Sequence, residues 1–416
     1  MKKNFIFTGV SVASRLLTSL FLFVLLARLW GPEEFGLFSF FFSVATMVAL
    51  LVDFGFQGYL LREIGAHSER AAGLVSEVFS TKLVLLGFCS LIALLVVFIF
   101  RDSPSVSLVV PLFLAAFAVS FSEFFISPLR ALGRYELETG LITAANIMLF
   151  CVVGLAAYRG DNPAMVAWLI AGVRFLQLAM SALLCRKVVS GIVLGFSSIR
   201  SSWAVGKRAF PYGFDTALVV GWNHVDIIAV RILYGDHIVG IYAAGQKIVQ
   251  GACALAPVIG NVMIPRLARE SRAQNPKLTR TSIITTRLLF GMGVFFAIPI
   301  IVFSGQIAPL AFGPAFASLS DYLWFFGLVI IFRYLAAGYG VLVTAVGLQA
   351  KRVVSQVVAF LIFLLMIVCI WIFSLQIEFV LGALVFCAIT LAVLYRSLWL
   401  GFRRGFLAAD NGGSAN

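Results

Sequence analysis

Long apolar runs separated by short polar breaks make up almost the whole chain. A helix needs about 20 mostly apolar residues to cross a hydrocarbon core. Twelve stretches meet that length: roughly 4–29, 35–60, 73–100, 106–128, 139–158, 163–185, 209–233, 238–263, 281–303, 319–346, 353–374 and 378–400. Pro32, Pro163, Pro211 and Pro265 fall at span ends, where a missing N–H costs little. Pro111 and Pro257 fall inside spans and predict kinks. The opening "MKKNFIFTGVSVASRLL" has the basic start of a signal peptide, but Arg15 interrupts its apolar run and no small-x-small cleavage site follows. It reads as an uncleaved first transmembrane helix.

The pattern occurs twice. "LARLWGPEEFGLF" (26–38) joins spans 1 and 2, and "VRILYGDHIVGIY" (230–242) joins spans 7 and 8. Both read Arg-x-x-aromatic-Gly, four residues, then Gly-x-aromatic. Gly36 precedes Arg62 by 26 residues, and Gly240 precedes Arg266 by the same number. "STKLVLLG" (80–87) resembles "TTRLLFG" (285–291), and Gly133 after span 4 resembles Gly347 after span 10. The expectation is an all-α polytopic membrane protein of two parallel six-helix lobes, related by a pseudo-two-fold along the membrane normal. The first lobe covers 1–185, a cytoplasmic amphipathic connector 186–208, the second lobe 209–400, and a cytoplasmic tail 401–416. Two such lobes imply alternating access to a site near the midplane.

Composition agrees with this class: 62% of the 416 residues are hydrophobic and 12% charged. A soluble domain carries about 25% charged residues. The net charge of +13 would suggest nucleic acid in a soluble chain. Its placement excludes that reading, because 20 of the 31 Lys and Arg fall on the side of the N-terminus and 2, Arg101 and Arg159, on the other. That asymmetry puts both termini in the cytoplasm. The 6 Cys show no paired spacing and read as buried thiols.

Ionisable groups inside spans are costly and mark pathways or partners. Thr8, Ser11, Arg15 and Thr18 share a face of span 1; Ser120, Glu123 and Ser127 a face of span 4; Arg174, Gln177 and Ser181 a face of span 6. Asp215, Trp222 and Asp226 align in span 7, and Lys247, Gln250 and Asn261 lie in span 8. Asp53 is deep in span 2 and Arg333 in span 10. Arg28, Arg231, Lys82 and Arg287 lie near span ends and read as snorkelling cations. Arg174 and Glu123 form either a structural ion pair or part of a site. Arg15, Lys247, Arg333 and Arg174 are the candidate cavity cations, suited to an anionic substrate. Asp53, Asp215, Asp226 and Glu123 are the candidate balancing or cation-coupling acids.

No catalytic or nucleotide motif accompanies them. "GIYAAGQK" (240–247) places Gln where a phosphate-binding loop needs Lys, and no Gly-x-Ser-x-Gly or His-Glu-x-x-His is present. The three His have no metal spacing. The chain therefore reads as a non-enzyme with no metal or cofactor.

"ARLWGPEEFGLF", "LLVDFGFQGYLLREIG" and "VDIIAVRILYGDHIVGIYAAGQKI" resemble the polysaccharide (oligosaccharide) flippase family, O-antigen and teichuronic acid exporters included, within the superfamily that also holds multidrug and lipid II exporters. The resemblance implies a twelve-helix carrier in the bacterial inner membrane. It would move an undecaprenyl-pyrophosphate-linked oligosaccharide to the periplasmic leaflet, with H+ or Na+ as a coupling ion and a polysaccharide polymerase and glycosyltransferases as partners. It implies that Arg15, and with it Lys247 and Arg333, faces the pyrophosphate. Asp226 and Asp53 match acids of the family's loop motifs. A cation-coupled drug exporter and a non-transporting assembly scaffold are the alternatives.

Overall fold

A computed structural model describes residues 2–100, 106–195, 199–273, 275 and 277–412 of the chain. Of the positions named above, Arg101 and the side chains of Thr8 and Asp215 lie outside the described residues. The described residues form helices and short connections, with no strand. In order they are α1 (Lys2–Asp53), α2 (Phe56–Ala66), α3 (Ala71–Ile99), α4 (Val106–Ala131), α5 (Tyr135–Tyr158), α6 (Pro163–Val188), α7 (Ile199–Cys253), α8 (Leu255–Arg272), α9 (Lys277–Val302), α10 (Ser304–Phe312), α11 (Leu323–Ala345), α12 (Gln349–Ile372) and α13 (Ile377–Gly412). Ten helical segments among them are long and apolar enough to span a membrane. Two of these, Gly9–Ala66 and Thr216–Arg272, are nearly 60 residues long and hold two spans each, which makes twelve crossings.

The two long segments break at equivalent places. In α1 the helix is interrupted at Gly31 (φ 76°, ψ 177°), and in α7 at Gly235 (φ 81°, ψ −174°). This backbone region disfavours any side chain with a Cβ. Acidic residues follow in both copies, Glu33 and Glu34 after Pro32 in one and Asp236 in the other. They meet the positive end of the restarted helix. The repeat reappears after α4 and α11. Gly133 (φ 75°) and Gly347 (φ 82°) each end a helix in one hydrogen-bond pattern, Arg134 N–H to Leu129 O at 2.8 Å and Leu348 N–H to Val343 O at 3.0 Å. That is the six-to-one closure of a Schellman cap. An insertion explains a change of register: 204 residues separate Gly31 from Gly235, whereas 214 separate Gly133 from Gly347. The surplus lies at α10 and the 3-10 helix Pro314–Asp321, which the apolar-run pattern does not anticipate.

Compact packing divides the chain at Gly240 and Ile241. In the first unit α4 is the central helix, packed on α6, α1, α2, α3 and α5. It is buried on most of its surface, as expected of a helix apolar all round. It runs unbroken through Pro111, whose lost hydrogen bond falls in the first two turns. A cluster around Phe56, Leu60, Val75, Phe124 and Leu129 gathers α2, α3 and α4 at one end of this unit. Val205 and Ala209 of α7 join it, so the helical part of the connector is the first stretch of α7. In the second unit α11 holds the central place, against α9, α13, α8 and α12. The helix break between α7 and α8 falls at Ala254, three residues before Pro257, whose ring excludes the carbonyl four residues back. The Tyr334 hydroxyl donates to Ala252 O beside that break at 2.7 Å.

Helix faces turned away from the units are strongly apolar. Phe88, Leu91, Leu94, Phe98 and Ile99 of α3 and Leu361, Leu365 and Trp371 of α12 are exposed. Such surface is tolerable against lipid and not against water. The same environment corrects the reading of the cysteines. All six are free, but Cys151 and Cys369 are exposed on outward helix faces, because an apolar run in a membrane need not face protein.

Candidate functional site

A cavity of about 440 Å³ lies within the first unit, bounded by α1, α4, α5 and α6, with Thr216 and Val220 of α7 at its edge. One part of its wall is apolar, with Phe23, Phe38 and Phe42; another carries Arg15, Asp53, Glu123 and Arg174. The lining charges are thus two cations and two acids, and their partners decide what remains available.

Arg15, about a third exposed, pairs through Nη1 with Glu123 Oε1. Its Nη2 is buried and has no hydrogen-bond partner among the described residues. Glu123 also lies 4.0 Å from Arg130, which Glu138 holds through Nε at 3.0 Å. Arg174 donates to Gln177 Oε1 at 2.7 Å and Asn146 Oδ1 at 3.5 Å, both neutral. Of Arg15 and Arg174, the two lining arginines that could have taken Glu123, the structure pairs Arg15 with it.

Asp53 ends α1 at the wall of the cavity, next to Phe54 (φ 43°) and Gly55 (φ 71°), which break the chain before α2. Its carboxylate faces Lys82 Nζ at 3.4 Å. Lys82 does not snorkel, contrary to expectation: it is fully buried, and Nζ also donates to Ser120 Oγ at 2.9 Å and Val52 O at 3.2 Å. Phe56, Phe121 and Phe124 surround the ammonium at 5.2–5.9 Å from their ring centres. The broken helix end supplies the carbonyl and carboxylate that make a buried Lys tolerable. A cation nested in the apolar run 73–100 was the sequence signal for it. Arg231 is likewise held, its Nε 2.7 Å from Asp236 and its guanidinium 4.5 Å over the Phe40 ring.

Asp226, Lys247 and Arg333 are not among the residues that line this cavity. Asp226 is buried, with Oδ1 accepting from Ile227 N–H at 2.8 Å, and it is not part of the lining. Asp215 is in α7, its side chain outside the described residues. In the second unit Lys247 donates to Gln250 Oε1 at 3.2 Å, and Arg333 is partly buried on α11. Asn146, a lone amide in the apolar run 139–158, and Ser19, one place beyond the polar face read in span 1, were not picked out from the sequence.

Apolar helical segments long enough to span a bilayer, with a charged cavity among them, define a multi-pass membrane protein. The chain belongs to the polysaccharide biosynthesis protein family, which matches residues 1–271. No curated protein sequence matches it. Among solved structures it resembles an inward-facing multidrug resistance MATE family transporter of the MOP superfamily, at 15% identity and TM-score 0.72 over 95% of each chain. It also resembles the eukaryotic MATE transporter AtDTX14, at 14% identity and TM-score 0.58 over 96% of this chain and 95% of that one. A MOP superfamily transporter from Pyrococcus furiosus, described as having a binding pocket of reverse polarity, matches at 16% identity and TM-score 0.63 over 97% and 94%. At these identities the likeness is one of fold.

Proposed function

We propose that the protein is a flippase for an undecaprenyl-pyrophosphate-linked oligosaccharide, moving it by alternating access from the cytoplasmic to the periplasmic leaflet of the bacterial inner membrane. Both termini are then cytoplasmic, a placement that the distribution of basic residues supports. The observation that carries this reading is the charge left over in the cavity. Asp53 is answered by Lys82 and Glu123 by Arg15, while Arg174 has neutral hydrogen-bond partners and Arg15 Nη2 has none among the described residues. Unspent guanidinium donors suit phosphate oxygens. Family membership supplies the polysaccharide setting. A drug-cation exporter needs acids in excess, and here each cavity acid already faces a cation.

Arg15 and Arg174 are proposed headgroup contacts, with Lys247 and Arg333 as further ones in the second unit. Asp53, Asp215, Asp226 and Glu123 are proposed acids for coupling to H+ or Na+, with no resident cofactor. A polymerase and glycosyltransferases are the proposed partners. The test is flipping of a labelled lipid-linked oligosaccharide in liposomes, with and without imposed proton and sodium gradients. Arg15→Glu and Arg174→Gln variants that fold normally should lose most activity, and Arg15→Lys should retain more. Wild-type rates in both charge-removing variants would refute the site, and export of a cationic drug without lipid flipping would favour the exporter.

A further inference from the structure

Arg15 and Glu123 are not an isolated pair. Glu123 lies between two arginines: Oε1 accepts from Arg15 Nη1, and Oε2 stands 4.0 Å from Arg130 Nη2. Arg130 in turn forks onto Glu138 of α5, its Nε donating to the two carboxylate oxygens at 3.0 and 3.2 Å. Both glutamates are buried. Arg15 and Glu123 line the cavity, whereas Arg130 and Glu138 do not. Charges of alternating sign therefore run from the cavity wall into the helix packing behind it.

The geometry of α4 builds this line. Glu123 and Arg130 are seven residues apart on one continuous helix, which is two turns and about 10 Å. That spacing brings both to one face. A helical side chain leans toward the N-terminus, so the long Arg130 side chain reaches back to Glu123. At 4.0 Å the two are at ion-pair distance without a hydrogen bond, and a shift of about 1 Å would make one.

A phosphate on the Arg15 guanidinium brings a second negative charge beside the Glu123 carboxylate, and like charges repel strongly where water is scarce. A buried carboxylate that loses its cation is costly unless another cation takes it up. Arg130 is already in position to do so. Arg174, the other lining arginine, senses the charges of Arg15 and Glu123, but its Nη1 donates to Gln177 and Asn146.

We infer that Arg130 is a positioning residue of the cavity: it takes over the Glu123 carboxylate when an anionic headgroup draws the Arg15 guanidinium away. This handover rests on the reading of Arg15 as a headgroup contact. It frees both arms of the Arg15 fork for phosphate oxygens while Glu123 stays paired.

The probe is farnesyl pyrophosphate, titrated calorimetrically into the full-length protein in detergent, with farnesol as the control for binding through the apolar chain alone. Arg15→Gln should remove most of the difference between the two. Glu123→Gln should tighten pyrophosphate binding, because Arg15 then has no carboxylate to leave. Arg130→Gln should weaken it about tenfold, between the worth of an exposed and of a buried ion pair, and Arg130→Lys should weaken it less. In the Glu123→Gln background, Arg130→Gln should have no effect. Glu138→Gln breaks the same contact between α4 and α5 but releases Arg130 for Glu123, so it should tighten binding.

Equal weakening by Arg130→Gln in both backgrounds, or weakening by Glu138→Gln, would overturn the handover and leave Arg130 as a strut between α4 and α5. A Glu123-dependent effect of Arg174→Gln in place of Arg130→Gln would overturn it as well. Wild-type binding by Arg15→Gln, or no preference for the pyrophosphate over farnesol, would instead refute the headgroup contact itself and the handover with it. The two failures are thus separately visible.

Discussion

Gly36 packs directly against Gly240. A Cβ on Gly36 would stand 2.0 Å from Asp236 O and 2.7 Å from Gly240 N, and one on Gly240 would stand 1.8 Å from Pro32 O. These are the corresponding glycines of the two motif copies, five residues after the breaks at Gly31 and Gly235. The duplicated sequence therefore makes a reciprocal contact: each copy gives up its side chain so that the backbone of the other can approach.

Gly36→Ala and Gly240→Ala should each destabilise the protein by about 1–3 kcal/mol, the usual cost of overpacking against atoms that cannot retreat. Gly65→Ala, at a helical position with open space around it, is the control and should be neutral or slightly stabilising. Thermal unfolding in detergent reads the difference. Matching midpoints for Gly36→Ala and Gly65→Ala would show that the contact opens freely.

Lys82→Met should cost about 3–5 kcal/mol, because it strands the Asp53 carboxylate in a poorly hydrated wall. Adding Asp53→Leu to it should recover much of that loss, since removing both charges leaves neither unpaired. The comparison is made on unfolding midpoints of the two single variants and the double. A double variant as unstable as the sum of the singles would mean that the pair does not act as a unit.

Charge partners can be tested by coupling. Arg15→Ala and Glu123→Ala should be non-additive in unfolding free energy, whereas Arg174→Ala with Glu123→Ala should come closer to additivity, because Arg174 hydrogen-bonds to amides. Partial exposure of Arg15 keeps the expected coupling to about 1 kcal/mol. A stronger coupling for the Arg174 pair would reassign Glu123.

Orientation is checked by cysteine accessibility in a background free of native Cys. Membrane-impermeant reagent added from outside should modify cysteines placed at 33 and 236 and not those at 134 or 272. The reverse pattern would invert the protein and the direction of transport proposed for it.

Much of this architecture is legible in one dimension, and the reason is local. Span number follows from apolar length, and the helix breaks at Gly31 and Gly235, with the caps at Gly133 and Gly347, follow from a backbone conformation that glycine adopts without strain. α10 escaped notice because nine residues with two polar side chains carry neither a span's length nor a helix's period. What the tertiary structure alone decided is which charges meet. Arg15 finds Glu123 across 108 residues, and Lys82 finds Asp53 across 29. Each apolar helix of a membrane bundle can rotate about its axis without changing its hydropathy, so nothing along the chain fixes which polar face opposes which. Helix packing in the first unit sets that rotation, burying Lys82 where a snorkelling cation was expected and hydrogen-bonding Arg174 to the amides of Gln177 and Asn146.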